Sequence, residues 1–280
     1  ENGNLVDDAI VFRLSSLEFE KFDASWLICF GAGFGVDYLT KSLDGTEVIA
    51  RADDDTACLM LQGPHAATVM KRVVEGPQPT NLRRFEHGLF SISGSEVMIA
   101  RTSYSGEDGF EIFVKSQHAL HTWNYLISKG AMPVGFDAID IARIEAGLLF
   151  FGRDMSGVET PTELGLAFIL DKSKKNFRGK TAWQKKSQRP RRKTVGITID
   201  GLDPLYGRNC LCVNELPVGK ITSHAVSSWL NKTVAIAQIK PELAVNGNRI
   251  NVCDESCCSV KSRQGVVCSR RFYSNFFKLP

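Results

Sequence analysis

Val97-Met-Ile-Ala-Arg-Thr-Ser-Tyr-Ser-Gly-Glu-Asp-Gly-Phe-Glu-Ile-Phe-Val114 decides how this chain folds, because a polar, glycine-broken stretch stands between two apolar runs. Val97–Ala100 and Phe110–Val114 are expected as two strands, with Gly106 and Gly109 supplying positive φ in a tight turn. Strand alternation sets Ile112 and Val114 on one face and Glu111 with Phe113 on the other. Glu111 is thus a carboxylate inside a strand, close to Tyr104 and to the turn carboxylates Glu107 and Asp108. Two readings stay open on spacing alone: a solvated strand face, or a grip on a flat ligand that offers paired N–H donors.

Working outward, Ala9–Phe12 and Trp26–Phe30 read as strands separated by a polar turn near Ser15 and Ser16. Gly31-Ala-Gly-Phe-Gly35 follows the second of these, but its G-x-G-x-G spacing departs from the dinucleotide fingerprint and no βαβ unit closes around it. Cys58–Leu61 reads as a buried strand feeding a helix at Pro64, packed through Ala66, Ala67, Val69, Met70 and Val73. Ala119, Leu120, Trp123, Leu126 and Ile127 mark a further helical face, flanked by His118 and His121, which read as solvated or capping residues. Residues 135–147 form the next expected helix, burying Ala138, Ile141, Ala142, Ile144 and Leu148. Arg143 and Glu145 are its odd charges, to be read either as members of a tethering ion pair or, for Arg143, as an anion clamp. Leu164–Leu170 is expected to be a strand, and Lys185–Lys193 a solvated basic linker. From Thr194 onward, the short runs 195–199, 218–222 and 234–239 predict a small all-β domain.

The 280 residues suffice for one large domain or two ordinary ones, and a 43% hydrophobic share predicts a sizeable buried core. A formal net charge of +3 is too mild to argue for nucleic acid, though it suits an anionic small molecule. No apolar run reaches the roughly 20 residues of a membrane helix, so neither a membrane nor a nucleic-acid partner is expected. Cys253, Cys257, Cys258 and Cys268 lack paired C-x-x-C knuckles and a nearby histidine, so no metal is expected and the cysteines read as free thiols of a reducing compartment. Glu1–Asp8 carries no apolar signal core and no Arg-rich transit pattern. The expected compartment is the cytoplasm, or the mitochondrial matrix in a eukaryote.

Six short motifs occur in a fixed order: Asp7-Asp8, Leu61-Gln-Gly-Pro64, Tyr104 to Glu111, Ala142-Arg-Ile-Glu-Ala-Gly147, Phe151-Gly-Arg-Asp-Met155 and Phe177-Arg-Gly-Lys180. Together they resemble the tetrahydrofolate-dependent aminomethyltransferases of the glycine cleavage T-protein superfamily. That resemblance implies an α+β fold, a cloverleaf of subdomains around a folate channel, ending in a C-terminal β-barrel. It divides the chain into a folate-binding domain over residues 1–185 and a barrel domain over 190–280. It also implies tetrahydrofolate as cofactor, with Glu111 gripping the pteridine edge, Tyr104 lining the pocket and Asp7 serving as the catalytic carboxylate near the reacting nitrogens. The implied reaction is aminomethyl or methyl transfer from a small molecule or a lipoyl-protein-borne donor.

Three departures qualify this picture. The family's arginine one helical turn before Arg143 is Ile139 here, which leaves Arg143 to meet any acidic tail. The family's Asn-Ala-Gly becomes Gly31-Ala-Gly33. A segment that precedes the Asp7–Asp8 pair in the family is expected to be missing, which would truncate the folate domain. The alternatives to the transferase are therefore a non-enzymatic folate-binding module or an inactive truncated paralogue. Folate-binding relatives that assist iron–sulfur assembly carry a Lys-Gly-Cys-Tyr-x-Gly-Gln-Glu signature, whereas this chain has Asn176-Phe-Arg-Gly-Lys-Thr-Ala182, closer to the transferases.

Overall fold

The computed structural model describes residues 1–31, 34–206, 209–253 and 262–272. The chain divides into two compact units, one holding residues 9–30 and 36–139, the other residues 1–8, 31–35 and the described residues from 140 onward.

The first unit begins with β1 (Ala9–Arg13), α1 (Ser16–Phe22) and β2 (Trp26–Phe30), the two strands forming an antiparallel pair. Helix α2 (Phe34–Ser42) follows, then β3 (Thr56–Gln62), α3 (Ala66–Val73), β4 (Val74–Glu75), β5 (His87–Ile92), β6 (Ser95–Ala100), β7 (Gly109–Lys115) and α4 (Ser116–Ser128). A five-stranded antiparallel sheet runs in the order β3-β7-β6-β5-β4. Alternation on β7 divides its core as the sequence requires. Phe110, Ile112 and Val114 pack with Val97, Ile99 and the buried faces of α3 and α4. On the opposite face Phe113 joins Met98, Ala100, Phe12 and Phe22. Burying a side chain of this size contributes about 1.5–3 kcal/mol, so a one-residue slip of β7 would forfeit several such terms at once.

The second unit continues with α5 (Phe136–Glu145), α6 (Lys180–Ser187), β8 (Lys193–Asp200), β9 (Cys210–Val213), β10 (Leu216–Ser227), β11 (Lys232–Ile239), β12 (Arg249–Cys253) and β13 (Ser262–Cys268). Strands β8 to β13 close into an antiparallel barrel in the order β10-β11-β8-β13-β12-β9. Its interior is aliphatic, with Val195, Ile197, Ile199, Leu211, Val218 and Val252 among the filling residues. A second cluster of Ile144, Leu149, Phe151, Met155 and Leu164 packs with the barrel residues Ala225, Val234 and Ile236.

Several expectations need correcting. The turn near Ser15 is the start of α1: the Ser15 amide donates to Glu18 Oε2 (2.7 Å) and the Glu18 amide to Ser15 Oγ (3.3 Å), a reciprocal cap on a short helix. Gly109 opens β7 and does not take positive φ; it is required because a Cβ there would meet Gln62 Cγ at 2.8 Å, while Gly106 does turn at φ +81°. On α4 the buried positions are Thr122 and Leu126, and Leu120 and Trp123 are exposed. On α5 Ile141, expected to be buried, is exposed, and Arg143 is fully buried. Leu164–Leu170 forms a turn with a 3-10 segment at Ala167–Ile169 instead of a strand: Leu164 and Leu166 reach the core, while Phe168 and Ile169 are exposed. Lys185–Lys193 is no bare linker: it completes α6 and enters β8, with Arg191 tied to Glu163. All named strands pair antiparallel, so Gly31–Gly35 opens no βαβ unit; Ala32 and Gly33 of that stretch lie outside the described residues. Cys29, Cys58, Cys253 and Cys268 are free thiols, and Cys210 departs from expectation by being disulfide-bonded. Cys257 and Cys258 lie outside the described residues. Among the described residues no acidic, histidine or cysteine cluster could hold a metal, and no helix is long and apolar enough to cross a membrane.

Candidate functional site

In the first unit the site grows from the β6–β7 connection. Arg101 staples its two ends, its Nε and Nη2 donating to the two Asp108 oxygens at 3.1 and 2.9 Å, while Nη1 donates to the Thr80 and Leu82 carbonyls. Asp108 is thereby occupied in holding the loop. Within the loop, Gln62 Oε1 accepts from Ser103 Oγ (3.1 Å) and from the Tyr104 amide (3.2 Å), and Ser103 and Ser105 share a hydroxyl contact at 3.0 Å. Tyr104 therefore sits on a backbone fixed from β3. The Gln62 Nε2 atom is buried without a hydrogen-bond partner, a costly state that a ligand acceptor would relieve.

Glu111 lies mid-way along β7, in one row across the sheet with Met60, Ala100 and His87. Thr102 Oγ1 donates to its Oε2 at 2.6 Å. Burial raises the Glu111 pKa and the Thr102 hydrogen bond opposes that rise. The surroundings are poor in counter-charge. Burial together with the Glu111 carboxylate pushes Cys29 up to about 11 and Cys58 up to about 12, so both thiols stay protonated near neutrality. Met60, on the edge strand β3, is exposed along the same face. A half-buried carboxylate with, among the described residues, no cation beside it is suited to accept hydrogen bonds from a flat, neutral N–H-bearing ring.

In the second unit Asp7 accepts two backbone hydrogen bonds, from the Asp8 amide on Oδ1 and from Gly35, at the start of α2, on Oδ2, both 2.8 Å. Burial, followed by the Asp7 charge, raises the pKa of Asp8, whose Oδ1 is buried with no partner. Asp8 lies against Gly31, where a Cβ would meet Oδ1 at 2.3 Å. Arg143 is 0% exposed. Its Nε donates to Asp140 (2.8 Å), Nη1 to Asp154 (2.5 Å) and the Leu148 carbonyl (3.1 Å), and Nη2 to Ser223 Oγ (2.8 Å). Thr222 Oγ1 adds a hydrogen bond to Asp154 Oδ1 (2.5 Å). The tethering alternative describes Arg143, with Asp140 and Asp154 as its partners. Its guanidinium is spent on its own unit, which leaves little of it for the anion clamp.

Tyr104 and Glu111 thus share one unit, and Asp7 and Arg143 the other. Thr102, bonded to Glu111, and the side chain of Gln62, bonded to the Tyr104 amide, are candidate site groups to which the sequence reading gave no role. The signal for Thr102 was strand parity: Ala100 pairs with Glu111, and a residue two further on returns to the same side.

A family model described as the GCVT N-terminal domain matches residues 1–174, and one described as the glycine cleavage T-protein C-terminal barrel domain matches residues 192–273. The chain is 33% identical over 265 residues to the heme-dependent oxidative N-demethylase gamma subunit of Ectopseudomonas mendocina (strain ymp), covering 90% of this chain and 68% of that protein. It is 31% identical to an aminomethyltransferase of Thermoanaerobacter sp. (strain X514), covering 99% of this chain and 75% of the relative. The crystal structure of glycine cleavage system aminomethyltransferase T from Bartonella henselae superposes with a TM-score of 0.84 at 26% identity, over 98% of this chain and 73% of that one. The GCVT N-terminal domain match over residues 1–174 corrects the expectation that this part of the family is missing from the chain. Physically, the first residues are built into their unit: the Leu5 amide donates to the Glu159 carbonyl (2.9 Å), Asn4 Nδ2 to the Gly157 carbonyl (3.2 Å), and Gly3 packs against the Trp183 backbone.

Proposed function

From the premise that this chain belongs to the glycine cleavage T-protein family, whose chemistry is folate-related one-carbon transfer, we propose that it binds tetrahydrofolate and transfers to it a one-carbon unit from a small methylated donor. The observation that carries this reading is Glu111, a half-buried carboxylate with one oxygen fixed by Thr102 and, among the described residues, no cation beside it. A pteridine edge offers paired N–H donors of the kind such a group accepts. The buried Gln62 Nε2 donor and the held Tyr104 backbone fit a flat polar ring on the same loop. When bound, the folate supplies the nitrogen that takes up the carbon.

The chain's own residues position and stabilise. Glu111 and Tyr104 orient the ring. Asp7, fixed by two backbone N–H groups, provides a negative charge to orient an amine or to offset positive charge that develops during transfer. Arg143 acts at a distance, by holding the 140–154 segment in shape. The relative named as an N-demethylase subunit supports a methylated amine as donor. A lipoyl-protein-borne aminomethyl donor is the second reading, favoured by the relatives named as aminomethyltransferases.

Calorimetric titration with tetrahydrofolate tests the core of the proposal, which is abandoned if the folded protein gives no binding heat. Turnover with a methylated amine or with an aminomethylated lipoyl protein then separates the two donors. Binding without turnover of either would return the chain to the class of folate-binding modules.

A further inference from the structure

We infer that Thr102 is a positioning residue for ligand recognition, fixing one oxygen of Glu111 so that the other is presented to the N–H donors of the bound ring. This rests on the proposal that Glu111 grips a folate. Thr102 is buried just beyond the end of β6, and Ala100, two residues earlier, is the register partner of Glu111. Its hydroxyl proton goes to Oε2 at 2.6 Å, and among the described residues no hydrogen bond engages Oε1. The division is asymmetric by construction. One carboxylate oxygen belongs to the protein, and the other is left to whatever enters.

A hydroxyl at this place does two things at once. It holds a mobile side chain in one rotamer, so that less freedom is lost when the ligand arrives. It also favours the ionised carboxylate against the burial that opposes ionisation, and only that form accepts N–H donors on both oxygens. Among the described residues no charge acts on Glu111 that could take its place. The groups sharing the site are the protonated thiols of Cys29 on β2 and Cys58 on β3, with Met98 and Ala100 on β6 apolar. His87 on β5, in the same row, is engaged with Glu18 of α1 at 2.7 Å.

The test compares wild type, Thr102→Val, Thr102→Ser and Glu111→Gln in tetrahydrofolate titrations run from mildly acidic to mildly alkaline pH. Thr102→Val is expected to bind about tenfold more weakly near neutrality, as for a lost hydrogen bond to a charged group. Its affinity should also fall away at a higher pH than in wild type, because Glu111 holds its proton longer without the hydroxyl. Thr102→Ser should restore both affinity and pH profile. In the absence of folate, the Glu111 carboxyl carbon, followed by NMR, should titrate at higher pH in Thr102→Val, and Thr102→Ala serves the same purpose should the valine variant fail to fold. Unchanged affinity and an unmoved pH profile in Thr102→Val, with Glu111→Gln weakened, would overturn the inference and leave the Glu111 reading intact. No binding by wild type, or normal binding by Glu111→Gln, would overturn that reading and this inference with it.

Discussion

Arg143 and Glu111 are both charged side chains set into apolar elements, and the two units treat them in opposite ways. Arg143 is enclosed, with two carboxylates, a carbonyl and a serine hydroxyl receiving its N–H groups. Glu111 is half-enclosed, with one hydroxyl on one oxygen and a pKa raised by burial against that hydrogen bond. A charge whose hydrogen bonds are met within its own unit builds architecture, and one left partly unmet is equipped to receive something.

The sharpest way to break this contrast is Arg143→Ala. Removing the guanidinium strands Asp154 as a buried unpaired charge and should cost about 3–5 kcal/mol in urea unfolding; a loss under about 1 kcal/mol would mean the knot is not structural. Glu111→Gln should do the reverse, leaving unfolding within about 0.5 kcal/mol of wild type while weakening tetrahydrofolate binding by about 1–3 kcal/mol in calorimetry.

A third charged group calibrates the enclosed extreme. Burial would push Glu163 up, but hydrogen bonds from Arg191 and from Thr160 bring it down to about 2 from an ordinary 4.5. Its contribution is present above the ordinary value and is lost as pH falls toward the depressed one. With Arg191 64% exposed and so screened by solvent, acid unfolding should show about 1–2 kcal/mol disappearing over that window, and Glu163→Gln should abolish that part of the slope. The smallest effect is Ser15→Ala, which removes half of the reciprocal cap on α1 and should lower stability by about 1 kcal/mol, read as a shift in the thermal midpoint, without touching folate affinity.

What the sequence disclosed follows the range over which its signals act. The 97–114 hairpin and the face assignment of Glu111 were legible because period-two alternation is local and unbroken there. The barrel strands at 195–199, 218–222 and 234–239 were legible for the same reason. Helix α1 was hidden because seven residues give too few turns for a period, although the Ser-x-x-Glu cap was in plain sight. Burial on α5 was misread because apolar patterning presumes charges outside, whereas Arg143 goes inside to meet Asp154 and, eighty residues further on, Ser223. The partial satisfaction of Glu111 lay beyond sequence too, since it depends on how deeply one face of β7 is covered.

The barrel carries a consequence for biosynthesis. β8 finds one neighbour in β11, some forty residues away, but the other in β13, about seventy residues on, where Ile197 faces Val267. A ribosome delivering the chain from its N-terminal side would release β8 to β12 as a sheet with two raw edges, and only the emergence of β13 could weld them shut. Until then the nascent chain offers unpaired backbone to its neighbours, so crowding and slow elongation over this stretch are where its yield is at risk.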